Sequence, residues 1–181
     1  LRELREMYCR EGIESIATVN DIYTDGSLKA KATKSGAGVV WPTGKKKTAI
    51  KYTGKKGIHR AELLAILVGV RSWPEDRELR LYSDSKNSLI DIKKTVNKKG
   101  DTRGMKEAPI LRDIHEALRK RSGKTALIKV RAHVGIVGNE SADATAVAAA
   151  DDKIPADTET VTVNTPEETG TGNVWLTENG V

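Results

Sequence analysis

Ile22-Tyr23-Thr24-Asp25-Gly26-Ser27 is the stretch from which the fold is read. Val19, Ile22 and Tyr23 favour extended backbone, so the run up to Thr24 reads as a buried strand. It ends on a carboxylate followed at once by Gly and Ser. An acid at the end of an apolar strand is costly to desolvate unless a partner or a cation compensates it. An Asp-Gly turn is the simple alternative. Three further acids stand in equally awkward settings. Glu62 shares a helix face with Ala65, Ile66 and Gly69, Asp84 follows an apolar strand, and Asp143 sits among Ala142, Ala144 and Ala146. Each has its own plain reading: Glu62 and Asp143 lie near helix N-termini, where the dipole favours acids, and Asp84 is placed to cap the helix after it.

The rest of the chain supplies a frame for these acids. Residues 36–41 and 48–53 read as two more strands around the turn Pro42-Thr43-Gly44, which makes an antiparallel meander. A helix over residues 60–72 is stopped by Pro74. A fourth strand over 78–83 leads into a helix over 86–96. Pro109 then opens a helix with the stripe Ile110, Leu111, Ile114 and Leu118, ended by Gly123; His115 falls off the stripe, as a surface residue does. A fifth strand over 125–130 runs through His133 and two glycines into a helix over 139–150, with Asn139 as its N-cap. The order βββ-α-β-α-α-β-α predicts an α/β fold. Its mixed five-stranded sheet has three antiparallel strands followed by parallel ones, with helices on both faces. The expected organisation is a linker or short helix over 1–18, one domain over 19–150, and a flexible acidic tail over 151–181 that is rich in Thr, Glu and Gly.

Composition narrows the partners. The 181 residues suffice for one domain, and 38% hydrophobic with 31% charged residues reads as a soluble globular protein. The overall net charge is +6, but residues 1–150 hold 30 basic and 18 acidic side chains, a local excess of +12. A domain so basic is expected to meet a polyanion. The single Cys9 points to a reducing, intracellular compartment, cytoplasm or nucleus. The longest apolar run, residues 63–70, is too short to span a bilayer, so no membrane role is expected. A first residue Leu1 in place of Met suggests a piece of a longer product.

In open α/β sheets, ligand sites gather at strand ends where the connection order switches. Asp25 and Asp84 end neighbouring strands there, and Glu62 and Asp143 reach the same place from packed helices. Four clustered carboxylates make sense only around cations, and oxygen ligands in that number select Mg²⁺ or Mn²⁺. Two such ions about 3.5–4 Å apart activate water against a phosphodiester. A basic domain with that centre reads as a nuclease.

Tyr23-Thr24-Asp25-Gly26-Ser27, Arg60-Ala61-Glu62-Leu63, Ser83-Asp84-Ser85 and His133-Val134-Gly135-x-x-Gly138-Asn139-Glu140-x-Ala142-Asp143 resemble the four signature segments of type 1 ribonuclease H, in the right order. The resemblance implies endonucleolytic hydrolysis of the RNA strand of RNA·DNA hybrids, leaving 5′-phosphates. It makes Asp25, Glu62, Asp84 and Asp143 the ligands of two Mg²⁺ ions (or Mn²⁺), with Asp25 bridging both. His133 becomes the residue that moves protons and releases product, a task suited to imidazole, although a plain surface histidine is the other reading. It also sets Gly26, Ser27, His59, Arg60, Ser85, Asn87 and Asn139 along the hybrid substrate.

Two departures stand out. Gly57, Ile58 and His59 replace the amides the family often carries before Arg-x-Glu, and a short loop over 98–103 replaces a long basic extension. The compact form and the phrase Ala132-His133-Val134-Gly135-Ile136 are similar to ribonuclease H domains of non-LTR retrotransposon polyproteins, which implies a reverse transcriptase domain as partner in the same polyprotein. The rival readings are a cellular ribonuclease H, a DNA-acting nuclease or recombinase of the same fold, and an inactive hybrid-binding module.

Overall fold

In a computed structural model, the described residues are 18–31, 33–165 and the backbone of 175–178. The linker expected over 1–18 therefore lies outside them, apart from Thr18. Strands β1 (Asp21–Lys29), β2 (Lys34–Trp41) and β3 (Lys46–Tyr52) form the antiparallel meander. Helix α1 (Ile58–Arg71) leads to β4 (Leu79–Ser83), then α2 (Lys86–Asn97), α3 (Ala108–Arg119), β5 (Thr125–Lys129) and α4 (Val137–Ala150). β4 pairs in parallel with β1, and β5 in parallel with β4. The mixed α/β architecture read from the sequence is therefore borne out.

Alternation along β1 divides the interior. Ile22 joins the larger core with Leu63, Leu64, Ile66 and Leu67 of α1 and Ile110, Leu111, Ile114 and Leu118 of α3. Tyr23 points the other way, into a smaller cluster with Tyr82, Ile128 and Ala142 of α4. Its ring stacks on Tyr82 with centroids 4.5 Å apart. The α3 stripe predicted from the sequence is the buried one. His115, predicted at the surface, is half-buried beside Gly100 of the α2–α3 loop. Helix α4 buries Ala142, Ala146 and Ala149, and small side chains let it lie close to the sheet.

Two differences change how the acids are read. β1 does not stop at Thr24: it continues through Asp25, Gly26 and Ser27, which pair with Gly38, Ala37 and Gly36 of β2. The Asp-Gly pair is thus strand, not turn, because the meander partner extends alongside it. Helix starts also move. α1 begins at Ile58, leaving Glu62 beyond its first turn, and α4 begins at Val137 with Ile136 as N-cap, so Asn139 caps nothing.

The largest departure follows α4. The tail expected to be structureless contributes β6 (Glu159–Asn164), which pairs in parallel with β3, and β7 (Trp175–Glu178), antiparallel to β6. Among the described residues the sheet therefore has seven strands, in the order β5-β4-β1-β2-β3-β6-β7. Thr160-Val161-Thr162-Val163 alternates with period two, and Val161 and Val163 are buried in the larger core. Acidic composition hid that pattern. Asp151, Asp152 and Glu159 pair with Lys29, Lys51 and Lys46 of the sheet at the solvent-exposed surface, where water screens such contacts.

Candidate active site

Strand register creates the centre of the site. The parallel pairing of β1 with β4 ends at Thr24 opposite Ser83, so Asp25 and Asp84 are the next residues on two adjacent strands. Asp84 is not the cap of α2. That place belongs to Ser85, whose Oγ accepts from Ser88 N at 3.3 Å. The Asp84 carboxylate instead accepts from Asn139 Nδ2 at 3.3 Å, a link from β4 across to α4.

Glu62 arrives from the other layer. A Cβ on Gly26 would stand 2.6 Å from Glu62 N and 2.8 Å from the Ala61 carbonyl carbon, so the missing side chain is what lets α1 rest on β1. Gly26→Ala is accordingly expected to destabilise the fold by roughly 1–3 kcal/mol through overpacking, read as a lowered thermal midpoint. An unchanged midpoint would mean that α1 can slide away freely.

One carboxylate oxygen each from Asp25, Glu62 and Asp84 lie within 4.8 Å of one another. Asp25 is 4% exposed and Glu62 7%. Asp25 Oδ1 accepts from Gly26 N at 3.0 Å, whereas Glu62 Oε2 is buried with no hydrogen-bond partner among the described residues. Burial first, then the charges of Glu62 and Asp84, raises the Asp25 carboxyl far above the ordinary carboxylate range. Glu62 is raised too, mainly by burial, with Asp84 adding to the shift. Asp143, half-buried on α4, lies outside the three-residue cluster, but its nearness also pushes Asp25 and Glu62 upward. A buried oxygen without a donor, inside a knot of mutually repelling acids, is a donor set that fits hard divalent cations.

The remaining predicted residues divide. His133 is exposed, on a loop where its backbone is left-handed at φ 56°. Asn87 is exposed in the first turn of α2. Ser27 is buried in β1, its carbonyl accepting from Ser35 Oγ at 2.8 Å, and Gly26 is covered by α1. Ser85 is occupied at the α2 cap, and Asn139 is buried at 3% exposure. Arg60, expected at the substrate, is buried and forked onto Glu107, with Nε to Oε2 at 2.7 Å and Nη2 to Oε1 at 3.2 Å. His59 Nε2 stands 2.9 Å from Asp91 Oδ2. Both side chains thus have acidic partners within the fold, and both line the groove between the start of α1 and the loop ahead of α3.

What the sequence reading missed is a basic groove of about 760 Å³ between the segment leading into α1 and the loop ahead of α3. Lys55, Lys56 and His59 line one side, and Arg103, Lys106 and Arg112 the other. The adjacent Lys55-Lys56 pair, with Lys106 after a glycine, was the available signal. It was masked because the two stretches are about fifty residues apart.

No curated protein matches the chain. A family model described as RNase H matches residues 18–151, from the start of β1 to the end of α4, and so takes in all four acids. Both that match and the strand order around Asp25 lead to one conclusion: the chain belongs to the RNase H family.

Proposed function

We propose that this chain is an active endonuclease that cuts the RNA strand of RNA·DNA hybrids at a two-cation centre held by Asp25, Glu62, Asp84 and Asp143. The family hydrolyses the RNA strand of hybrids and normally uses divalent metals. The observation that carries the reading for this chain is the convergence of three carboxylates within 4.8 Å, one of them with a buried unpartnered oxygen. Divalent cations bound there supply Lewis acidity to the scissile phosphodiester and a more nucleophilic water.

The protein's own groups do the rest. Asp25 and Glu62 would hold such cations as ionised carboxylates. Asn139 holds Asp84 in place through its amide. His133, on an exposed loop, is free to carry a proton at a ring nitrogen to the leaving 3′ oxygen. Retroelement origin, with a reverse transcriptase domain as neighbour and an intracellular site of action, is part of the same proposal. Its support is the short 98–103 loop, the 132–136 phrase and the lone Cys9.

Incubation with end-labelled RNA·DNA hybrid, with and without Mg²⁺, tests the hydrolysis. Mg²⁺-dependent cuts in the RNA strand alone, ending in 5′-phosphates, are expected. An intact hybrid, or equal cutting of duplex DNA, would reject it.

The groove makes a separate prediction. Lys55 and Lys106 are exposed, and the Arg103 side chain is 91% exposed. If they meet phosphates, replacing all three by Ala should reduce the slope of log affinity against log salt by about 2–3 units, near 0.9 per contact. Hybrid binding measured over a salt series reads this, and an unchanged slope would place the backbone elsewhere.

A further inference from the structure

β6 lies beyond residue 151, where the family match ends. Because it runs parallel to β3, its C-terminal end arrives where β3 hands the chain over to α1. Thr53 N donates to Val163 O at 3.0 Å. Thr165 Oγ1 donates to Thr53 O at 2.5 Å and accepts from Arg60 Nη1 at 3.1 Å. Gly54, with φ +87°, fits beneath it, since a Cβ there would collide with Thr165 Oγ1. The other edge of the Arg60 guanidinium is forked onto Glu107, which precedes α3 with a left-handed φ of 60°.

Three segments distant in sequence thus meet at one hydroxyl and one guanidinium. Two of them are the walls of the basic groove: residues 55–60 on one side, 102–112 on the other. The fork to Glu107 joins the walls and holds one edge of the guanidinium. Thr165 adds the third direction, fixing the guanidinium to the end of β3. Arg60 also stands two residues before Glu62, in the first turn of the same helix.

We propose that Thr165 is a positioning residue: by tying Arg60 to Thr53, it sets the separation of the two basic walls, and with it the affinity of the groove for a nucleic-acid backbone. The consequence for catalysis rests on the proposed hybrid hydrolysis. The consequence for binding does not.

The test is Thr165→Val in the full chain, which keeps the β-branch and removes both hydrogen bonds, with Thr165→Ser as the conservative partner. Hydrogen bonds to charged groups have the strength to move binding roughly tenfold. Thr165→Val should raise KM for hybrid, and Kd measured without Mg²⁺, by about 5–10-fold. It should leave kcat within about twofold, because the hydroxyl is bonded to Arg60 and Thr53 and to none of the four acids. Thr165→Ser should restore both constants. Unchanged KM and Kd in Thr165→Val would overturn the proposal. So would a loss of kcat alone, or a fall in thermal midpoint that accounts for the lost binding. A wild-type chain that binds hybrid without cutting it would refute the hydrolysis reading, and the Kd comparison would still decide the role of Thr165.

Discussion

Asp25→Asn is expected to lower hybrid cleavage by on the order of 10³-fold or more while leaving hybrid binding measurable, because it removes a carboxylate central to the proposed cation site and none of the groove. The same substitution should stabilise the metal-free fold. Burial and like charges raise both Asp25 and Glu62 above their unfolded values, so the folded chain keeps protons that the unfolded chain releases. That contribution to stability is whole below the ordinary carboxylate range and is lost as pH rises above it toward the folded-state values.

In EDTA at pH 8, Asp25→Asn should therefore melt above the wild type, by about 2–4 °C for each kcal/mol of relieved repulsion. The gap should close only below about pH 3, under the ordinary carboxylate range, where the wild-type carboxyls are protonated in both states. Mg²⁺ should raise the midpoint of the wild type more than that of the variant. Cleavage at near wild-type rate in Asp25→Asn would sink the mechanism. A wild type more stable than the variant in EDTA at pH 8 would show that the acids are not repelling one another.

A chain cut after Asp151, at the limit of the family match, should be severely weakened. Val163 is fully buried and Val161 nearly so, and each such side chain contributes about 1.5–3 kcal/mol on burial. Losing both removes about 3–6 kcal/mol from a fold whose total stability is typically about 5–15 kcal/mol, although ordering the strand offsets part of it. The cut also bares β3 as an unpaired edge prone to association. A thermal midpoint lower by roughly 6–20 °C, or an insoluble product, is expected. If the cut chain melts within about 2 °C of the full one, β6 is an appendage and the flexible-tail reading stands.

The order of strands and helices around the four acids was legible because it rests on local pattern. Alternation over Ile22 and Tyr23, the Ile110-Leu111-Ile114-Leu118 stripe, and Pro74 and Pro109 as punctuation each act within a few residues. The identity of the acids was legible for a related reason: carboxylates beside Ala, Ile and Gly conflict with their surroundings wherever the chain goes.

Tertiary structure decided the partnerships. Only the parallel register of β1 and β4 sets Asp25 beside Asp84, and only contact between α1 and Gly26 brings Glu62 to them. The family resemblance sets Arg60 and His59 along the substrate, and nothing nearby in sequence shows their partners within the fold. Their partners Glu107 and Asp91 lie 47 and 32 residues away, and Thr165 lies 105 residues from Arg60. β6 was overlooked because its acidic and threonine-rich flanks outweighed two valines. Hydrophobic period is a property of short segments. The pairing of long charged side chains, and the sheet edge open to a late strand, depend on where distant segments come to lie, and that is fixed only when the core packs.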